Sequence, residues 1–98
     1  MRYRVARFKV RPGEVAAAEK AIIEFVAKVA DEPGTLRYES FREPDGVSYL
    51  HLMAFADDDS EAAHGDTEHG KKFAAALAAL CEKQPESTDL KMISGAGR

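Results

Sequence analysis

Two spacings of apolar residues alternate along the chain, one typical of strands and the other typical of helices. The strand spacing occupies residues 2–11, 35–42 and 47–56, and it recurs at Leu90, Met92 and Ile93. The helical spacing occupies residues 14–31 and two later segments. The first of these is short, can be capped by Asp57 to Ser60, and ends at Gly65. The second is longer, can be capped by Asp66 or Thr67, and ends near Lys83. Turn signals separate these segments at Pro12-Gly13, Pro33-Gly34, Glu43-Pro44-Asp45-Gly46 and Pro85.

The predicted elements follow the order β-α-β-β-α-β, which is the order of the split βαβ or ferredoxin-like arrangement. The short link between the second and third strands indicates an antiparallel hairpin. We therefore expect an α+β sandwich in which helices cover one face of a four-stranded antiparallel sheet. A chain of 98 residues accommodates one hydrophobic core, so residues 1–98 are expected to form a single domain.

The third strand carries apolar side chains on both of its faces. One face holds Tyr49, His51, Met53 and Phe55, and the other holds Leu50, Leu52 and Ala54. Helices can cover only one of these faces, and an uncovered apolar patch on the order of several hundred Å² is unusual in a soluble monomer. We therefore expect a homodimer in which the second face of the sheet packs against another copy.

Composition argues against several classes of protein. The formal net charge is -3 and the basic residues are scattered, whereas nucleic-acid binding requires a basic face. The N-terminus lacks the apolar stretch of a signal peptide, and the longest apolar run, residues 73–81, is too short to span a membrane. We therefore expect a cytoplasmic protein that binds neither nucleic acid nor membrane. Cys81 is the single cysteine and lies on an apolar helical stripe, so we expect a buried thiol and no disulfide within the chain.

Three stretches of the sequence occur in the order, and with the loop lengths, of a known family. They are residues 8–13 (FKVRPG), residues 32–38 (EPGTLRY), and the run from Phe55-Ala56-Asp57 through Ala62-Ala63-His64 and Thr67-Glu68-His69 to Phe73. Together they cover nearly the whole chain. The set resembles the antibiotic biosynthesis monooxygenase (ABM) family of the dimeric α/β barrel superfamily, in particular its quinol monooxygenase-like branch.

The resemblance implies a dimeric α/β barrel with a pocket in each subunit between the sheet and the helices. It also implies oxygenation of phenolic or quinol-type aromatics without a bound cofactor, although other relatives degrade haem or isomerise small metabolites. The chain contains no Asn and no Trp, and Phe55 stands where many relatives carry Trp. The resemblance links Asn and Trp to haem degradation and to polyketide binding, so neither activity is expected.

Cofactor-free oxygenation requires a base that removes a phenolic proton, because the phenolate passes an electron to oxygen where the phenol cannot. Histidine suits this role, since its ordinary pKa of about 6.5 lies near working pH. His64 matches the family's helix histidine and His51 lies within the third strand, so both are candidate catalytic bases. The alternatives are a capping or surface histidine for His64, and a core or interface histidine for His51.

Five further residues are candidates for substrate binding, namely Tyr38, Tyr49, Phe55, His69 and Phe73. The tyrosines could donate a hydrogen bond to a quinone-type oxygen, or pack with their hydroxyls at the edge of the sheet. The phenylalanines would line an apolar pocket, or belong to the plain core. His69 matches a family position but is expected to face solvent.

The spacing of candidate ligands does not predict a metal site. His64 and His69 are five residues apart with a glycine between them, so a regular helix would not place them on one face. The acidic run Asp57-Asp58-Asp59 is typical of a helix N-terminus. We therefore expect neither a metal nor an organic cofactor.

The leading hypothesis is a cofactor-independent monooxygenase that acts on a small aromatic or quinol with a histidine as general base. Two alternatives remain open. One is a non-catalytic dimer that binds a small molecule or has a regulatory role, and the other is an isomerase or lyase that acts on a small metabolite.

Overall fold

The computed structural model describes residues 1–97, which form a four-stranded antiparallel sheet and three helices. The elements in chain order are β1 (Arg2–Lys9), α1 (Val15–Val29), β2 (Thr35–Arg42), β3 (Ser48–Phe55), α2 (Asp58–Gly65), α3 (Glu68–Leu80) and β4 (Glu86–Leu90). The strands lie in the order β2-β3-β1-β4, so β1 and β3 are central. The predicted α+β fold class and the predicted element order are confirmed.

Strand β1 and helix α1 each end two residues before the predicted end, and the larger differences from the prediction lie near the C-terminal end of the chain. Helix α3 ends at Leu80 and not near Lys83, because Cys81 takes an extended backbone conformation (φ -108°, ψ 144°) and bridges to Val10. The backbone N–H of Arg11 also donates to the carbonyl of Leu80 at 3.0 Å. The chain therefore leaves the helix in order to pair with the end of β1.

The last strand lies earlier in the sequence than its apolar residues predicted. Strand β4 ends at Leu90, and both Met92 and Ile93 lie beyond it and are exposed. All five residues of β4 are exposed, and the strand is held by backbone pairing with β1, for example Val5 opposite Thr88. A strand at the edge of a sheet can form without the apolar alternation that marks a half-buried one.

The hydrophobic core lies between the helices and one face of the sheet. Its buried members come from α1, α3 and the central strands, and they are Phe8, Val10, Ala18, Ile22, Phe25, Val29, Tyr49, Phe73, Leu77 and Cys81. The burial of Cys81 agrees with the prediction, and burial raises the pKa of its thiol. The odd-numbered residues of β3 from Tyr49 to Phe55 are all buried on this side.

The opposite face of the sheet, which we call the open face, carries apolar side chains that no helix covers. Leu50 and Leu52 of β3 are half-buried there. Their cross-strand neighbours include Phe41, opposite Leu50, and Val5, opposite Leu52. Phe41 is 49% exposed, so the two-sided character that the sequence predicted for β3 extends to neighbouring strands.

Within residues 1–97, no helix has the length and apolar character needed to cross a lipid bilayer.

Candidate functional site

A cleft of about 450 Å³ lies between the sheet and helices α2 and α3. Its buried walls are apolar and aromatic, and they include Phe25, Met53, Phe55, Phe73 and Leu77. Polar side chains lie among and beside them, namely Arg4, Tyr38, Glu61, His64, Gln84 and Ser87. Because Gln84 and Ser87 are exposed, the cleft opens to solvent along the side of β4. A small concave apolar cavity with a few polar groups is the usual form of a small-molecule site.

His64, near the end of α2, is the titratable histidine that lines this cleft. Its Nδ1 lies 2.7 Å from Oε1 of Glu32, a residue of the link between α1 and β2. A carboxylate can only accept, so Nδ1 must carry the proton of this hydrogen bond. In the neutral ring, Nε2 then holds a lone pair. His64 therefore has the tautomer that a general base requires, and its side chain is only 14% exposed.

The same carboxylate of Glu32 holds two further donors. Nε2–H of His69 donates to Oε2, and the hydroxyl of Thr35 donates to Oε1 at 2.7 Å. Burial acts to raise the pKa of Glu32, but the hydrogen bonds from His69, Thr35 and His64 outweigh it and lower that pKa below its ordinary value. Glu32 is therefore a charged carboxylate that orients two imidazole rings.

The local sequence brings this loop and helix α2 into direct contact. A Cβ atom at Gly34 would lie 2.4 Å from Cβ of Ser60, so only glycine allows α2 to sit this close. Backbone N–H of Ala56 also donates to the carbonyl of Gly34 at 2.9 Å. Asp57 caps α2 by accepting from the N–H of Ser60 at 2.8 Å, as the acidic run predicted. The orientation of α2, and with it the position of His64, is thus fixed at its N-terminal end.

Helix α3 is positioned in a similar way by its own cap. The hydroxyl of Thr67 accepts from the N–H of Gly70 at 3.0 Å and donates to the carbonyl of His64 at 3.0 Å. Thr67 therefore ends one helix and begins the next. This geometry places His69 in the first turn of α3, on the side that faces Glu32.

A second polar pair lies deeper, on β2 and β3. The hydroxyl of Tyr38 lies 2.7 Å from Nδ1 of His51. Burial lowers the pKa of His51 to about 4, so this ring is neutral at pH 7. Burial, and then the charge of Glu32, raise the pKa of Tyr38, so its hydroxyl remains protonated. Nε2 of His51 is buried and has no hydrogen-bond partner within residues 1–97.

Aromatic packing connects the two polar pairs. The rings of Phe25 and Phe73 stack at a centroid distance of 4.3 Å and an interplanar angle of 2°. His51 stacks on Phe73 at 5.8 Å, and Tyr38 lies 5.5 Å from His64. These contacts hold both histidines and Tyr38 around one wall of the cleft.

Six of the seven predicted site residues lie at the cleft or directly behind its wall. Tyr38, Phe55, His64 and Phe73 line the cleft. His51 lies behind Tyr38 and does not line the cleft, while His69 lies on the far side of Glu32. His69 was expected to face solvent, but its side chain is only 24% exposed.

Tyr49 lies apart from the cleft. Its hydroxyl donates to Oε2 of Glu19 on α1 at 2.8 Å, and its ring stacks on Phe8 at 5.3 Å. Burial and the hydrogen bond to Glu19 raise the pKa of Tyr49 to about 12. This placement favours the packing interpretation that the sequence left open.

The sequence did not single out four residues that shape the site, namely Arg4, Phe25, Glu32 and Glu61. Glu32 is the first residue of the EPGTLRY stretch, so its position could have drawn attention to it. Its two histidine donors lie more than 30 residues further along the chain, and no pattern in the sequence connects them to it. Within residues 1–97, no group of three or more His, Cys, Asp or Glu side chains is arranged to hold a metal ion.

Comparisons with known proteins identify relatives of the whole fold. The sequence model of the antibiotic biosynthesis monooxygenase family matches residues 1–76. A solved structure from Caulobacter crescentus with the same family name is 32% identical, has a TM-score of 0.87, and is matched over 95% of this chain and 90% of that chain. A comparison with curated proteins gave no match.

Two further structures extend the comparison. An asparagine-to-alanine variant of SnoaB, a cofactor-independent oxygenase from Streptomyces nogalater, is 26% identical with a TM-score of 0.85, over 99% of this chain and 97% of that chain. A protein from Nitrosomonas europaea with the same family name has a TM-score of 0.89 at 17% identity, over 96% of this chain and 100% of that chain. At that identity the likeness shows the fold alone.

Proposed function

Because the chain belongs to the antibiotic biosynthesis monooxygenase family, we propose that it oxidises a small quinol-type aromatic with molecular oxygen and without a bound cofactor. The observation that carries this proposal is the His64–Glu32 pair at the wall of an apolar cleft. A cleft of about 450 Å³ has room for a substituted single ring. The description of SnoaB as a cofactor-independent oxygenase supports the same class of reaction.

In the proposed reaction, Nε2 of His64 takes the proton of a phenolic hydroxyl. The imidazolium that forms is stabilised by the adjacent carboxylate of Glu32, in the way that a buried acid supports the histidine of a catalytic triad. The phenolate is then electron-rich enough to pass an electron to oxygen. For a hydroquinone, one ring C–H becomes C–OH, the ring becomes a quinone, and the second oxygen atom leaves as water.

Tyr38 is proposed to bind the second phenolic oxygen of the substrate, the one that His64 does not deprotonate. Its side chain lines the cleft, and its raised pKa keeps its hydroxyl protonated. In the tautomer of His51 whose Nδ1–H donates to the phenolic oxygen, the O–H of Tyr38 is free to donate to the substrate. His51 is proposed to orient Tyr38, since it is buried directly behind it and neutral. In this assignment His64 is the catalytic base and His51 is a positioning residue.

A second candidate function is favoured by one observation from the sequence. The chain lacks Asn and Trp altogether, while the SnoaB variant was made at an asparagine. A cleft without those side chains could bind an aromatic molecule without turnover. The protein would then be a small-molecule-binding or regulatory dimer.

The test is oxygen uptake by the purified protein with a panel of substituted hydroquinones. We expect uptake to exceed that of a His64→Ala, His51→Ala double variant, and a Tyr3→Phe variant to retain the full rate because Tyr3 lies away from the cleft. Equal rates in the wild type and the double variant would refute the proposal. Binding without oxygen uptake would favour the second function, and anaerobic turnover would indicate an isomerase or lyase.

We also propose that two copies pair through the open face of the sheet. Phe41, Leu50, Leu52 and Val5 form a continuous apolar surface across three strands. Burying such a surface is favourable by about 25 cal/mol per Å² of apolar area. The partner best matched to it is a second copy, which presents the same surface.

Sedimentation at micromolar concentration is therefore expected to show a dimer. Leu52→Lys should weaken the dimer by roughly 100-fold or more, because a two-fold interface would bury the new charge twice. Ile23→Lys is the matched control, since Ile23 is 69% exposed on α1, and this helix packs on the side of the sheet opposite to the open face. A wild-type protein that stays monomeric at this concentration would contradict the pairing.

A further inference from the structure

Glu32 lies between two histidines that line two different cavities. His64 lines the cleft described above, whereas His69 lines a separate groove of about 390 Å³ between α1 and α3. The stacked rings of Phe25 and Phe73 line both cavities. One carboxylate and one aromatic pair thus form the boundary between the cleft and this groove, which we call the α1–α3 groove.

The α1–α3 groove has the composition of a site for an apolar anion. Its apolar lining residues are Ala21, Phe25, Ala27, Phe73 and Ala76. Lys28 of α1 and Lys72 of α3 lie on its opposite sides, and neither forms an ion pair within residues 1–97.

Glu24 is the one acidic residue at the rim, so the two lysines leave the rim with a net positive charge. His69 adds a ring whose Nε2–H is committed to Glu32, while its other nitrogen, Nδ1, has no hydrogen bond within residues 1–97.

We propose that the α1–α3 groove binds a small aromatic carboxylate and transmits its presence to His64 through His69 and Glu32. The aromatic body packs on the Phe25–Phe73 pair, and the carboxylate lies between Lys28 and Lys72. An anion beside His69 favours the imidazolium form of that ring. A positively charged His69 then forms an ion pair with the carboxylate of Glu32. The same carboxylate therefore stabilises a positive charge on His64 less strongly.

This inference assigns a second ligand to the protein and does not require the oxygenase reaction. The coupling between the groove and the cleft requires only that Glu32 contacts both His64 and His69, which is so whether the cleft is an oxygenase site or a binding site. A ligand in the groove would lower the basicity of His64. If the cleft is an oxygenase site, the groove ligand acts as an inhibitor that reduces turnover without occupying the cleft.

The binding test uses 1-naphthoate as the probe and titration calorimetry as the measurement. We expect binding to weaken by at least about 10-fold in a Lys28→Gln, Lys72→Gln double variant, since each lysine contributes a charge-assisted contact. Lys71→Gln is the matched control, because Lys71 is exposed on the same helix and does not line the groove. The neutral analogue 1-naphthalenemethanol should bind more weakly than 1-naphthoate by a similar factor.

The coupling test follows the ring signals of His64 by NMR during the same titration. In the wild type, 1-naphthoate should shift the titration of His64 to lower pH, and Glu32→Gln should abolish that shift while retaining binding. No binding of 1-naphthoate at millimolar concentration, or equal affinity in the double lysine variant, would overturn the site. Binding that leaves His64 unchanged would overturn the coupling. None of these results depends on oxygen uptake, so they are independent of the proposed reaction.

Discussion

Replacing His64 by alanine is expected to lower the rate of oxygen uptake with hydroquinones by roughly 10²- to 10⁴-fold, the range typical of a lost general base. The phenolic proton would then have to leave to water, and the phenolate would form in an apolar cleft without a counter-charge. The variant should fold, since His64 lies in the last turn of a short helix and is not a member of the buried core cluster. The measurement is steady-state oxygen uptake across a range of pH.

Glu32→Gln provides a more specific test of the same pair. Glutamine keeps the size of the side chain but has only one oxygen, whereas Glu32 accepts from two histidines and Thr35. We expect a smaller loss of rate than for His64→Ala, because the oxygen of the glutamine amide can still accept the hydrogen bond that orients His64. Glu14→Gln is the control, because Glu14 makes no side-chain hydrogen bond at the start of α1. A His64→Ala variant with the wild-type rate would exclude His64 as the base.

Lowering the pH from 7 to 5 is expected to remove about 2 kcal/mol of the free energy of unfolding through His51 alone. The pKa of His51 is lowered from 6.5 to about 4 because the folded protein buries the ring away from water. Between these two values the unfolded chain binds a proton that the folded chain does not. This stability is therefore fully present above pH 6.5 and is lost progressively as the pH falls toward 4.

Urea unfolding at pH 7 and at pH 5 measures this effect. His51→Gln should show a smaller difference between the two values of pH, although it is expected to be less stable overall because it disturbs a buried hydrogen bond to Tyr38. The comparison isolates His51, since hydrogen-bonded carboxylates such as Glu32 keep their pH dependence in both proteins. An unchanged difference in the variant would show that His51 is not the responsible group.

The sequence predicted the fold well because its elements have strong local patterns. The apolar stripe of α1 and the strand alternation of β3 each repeat over several turns or residues, so their type and approximate extent follow from spacing alone. The two-sided apolar character of β3 also led directly to the open face. The predicted positions of β4 and of the end of α3 were less accurate, because backbone pairing with β1 and with Val10 just beyond it determines both.

The candidate site could be predicted only in part. Histidine and tyrosine are recognisable by their chemistry, so His51, His64 and Tyr38 could be proposed without coordinates. The place of Glu32 in the EPGTLRY stretch marks the residue but not its role, since its partners are set only when α2 and α3 bring two histidines to it. The division between a cleft and a separate groove likewise depends on the packing of Phe25 against Phe73, which no spacing along the chain reveals.

The weak attachment of β4 has a consequence for access to the cleft. This strand is an edge strand that pairs with β1 alone, and all of its residues are exposed, while Pro85 and Ser87 form part of the cleft wall. Side-chain contacts such as the hydrogen bond from Nε of Arg4 to Ser87 at 2.7 Å add little, because they are exposed to water. Detaching β4 therefore requires less free energy than disrupting the packed helices. Because the cleft already opens to solvent beside Gln84 and Ser87, displacement of this edge would widen that opening without disturbing the caps, the helices or the histidine pair.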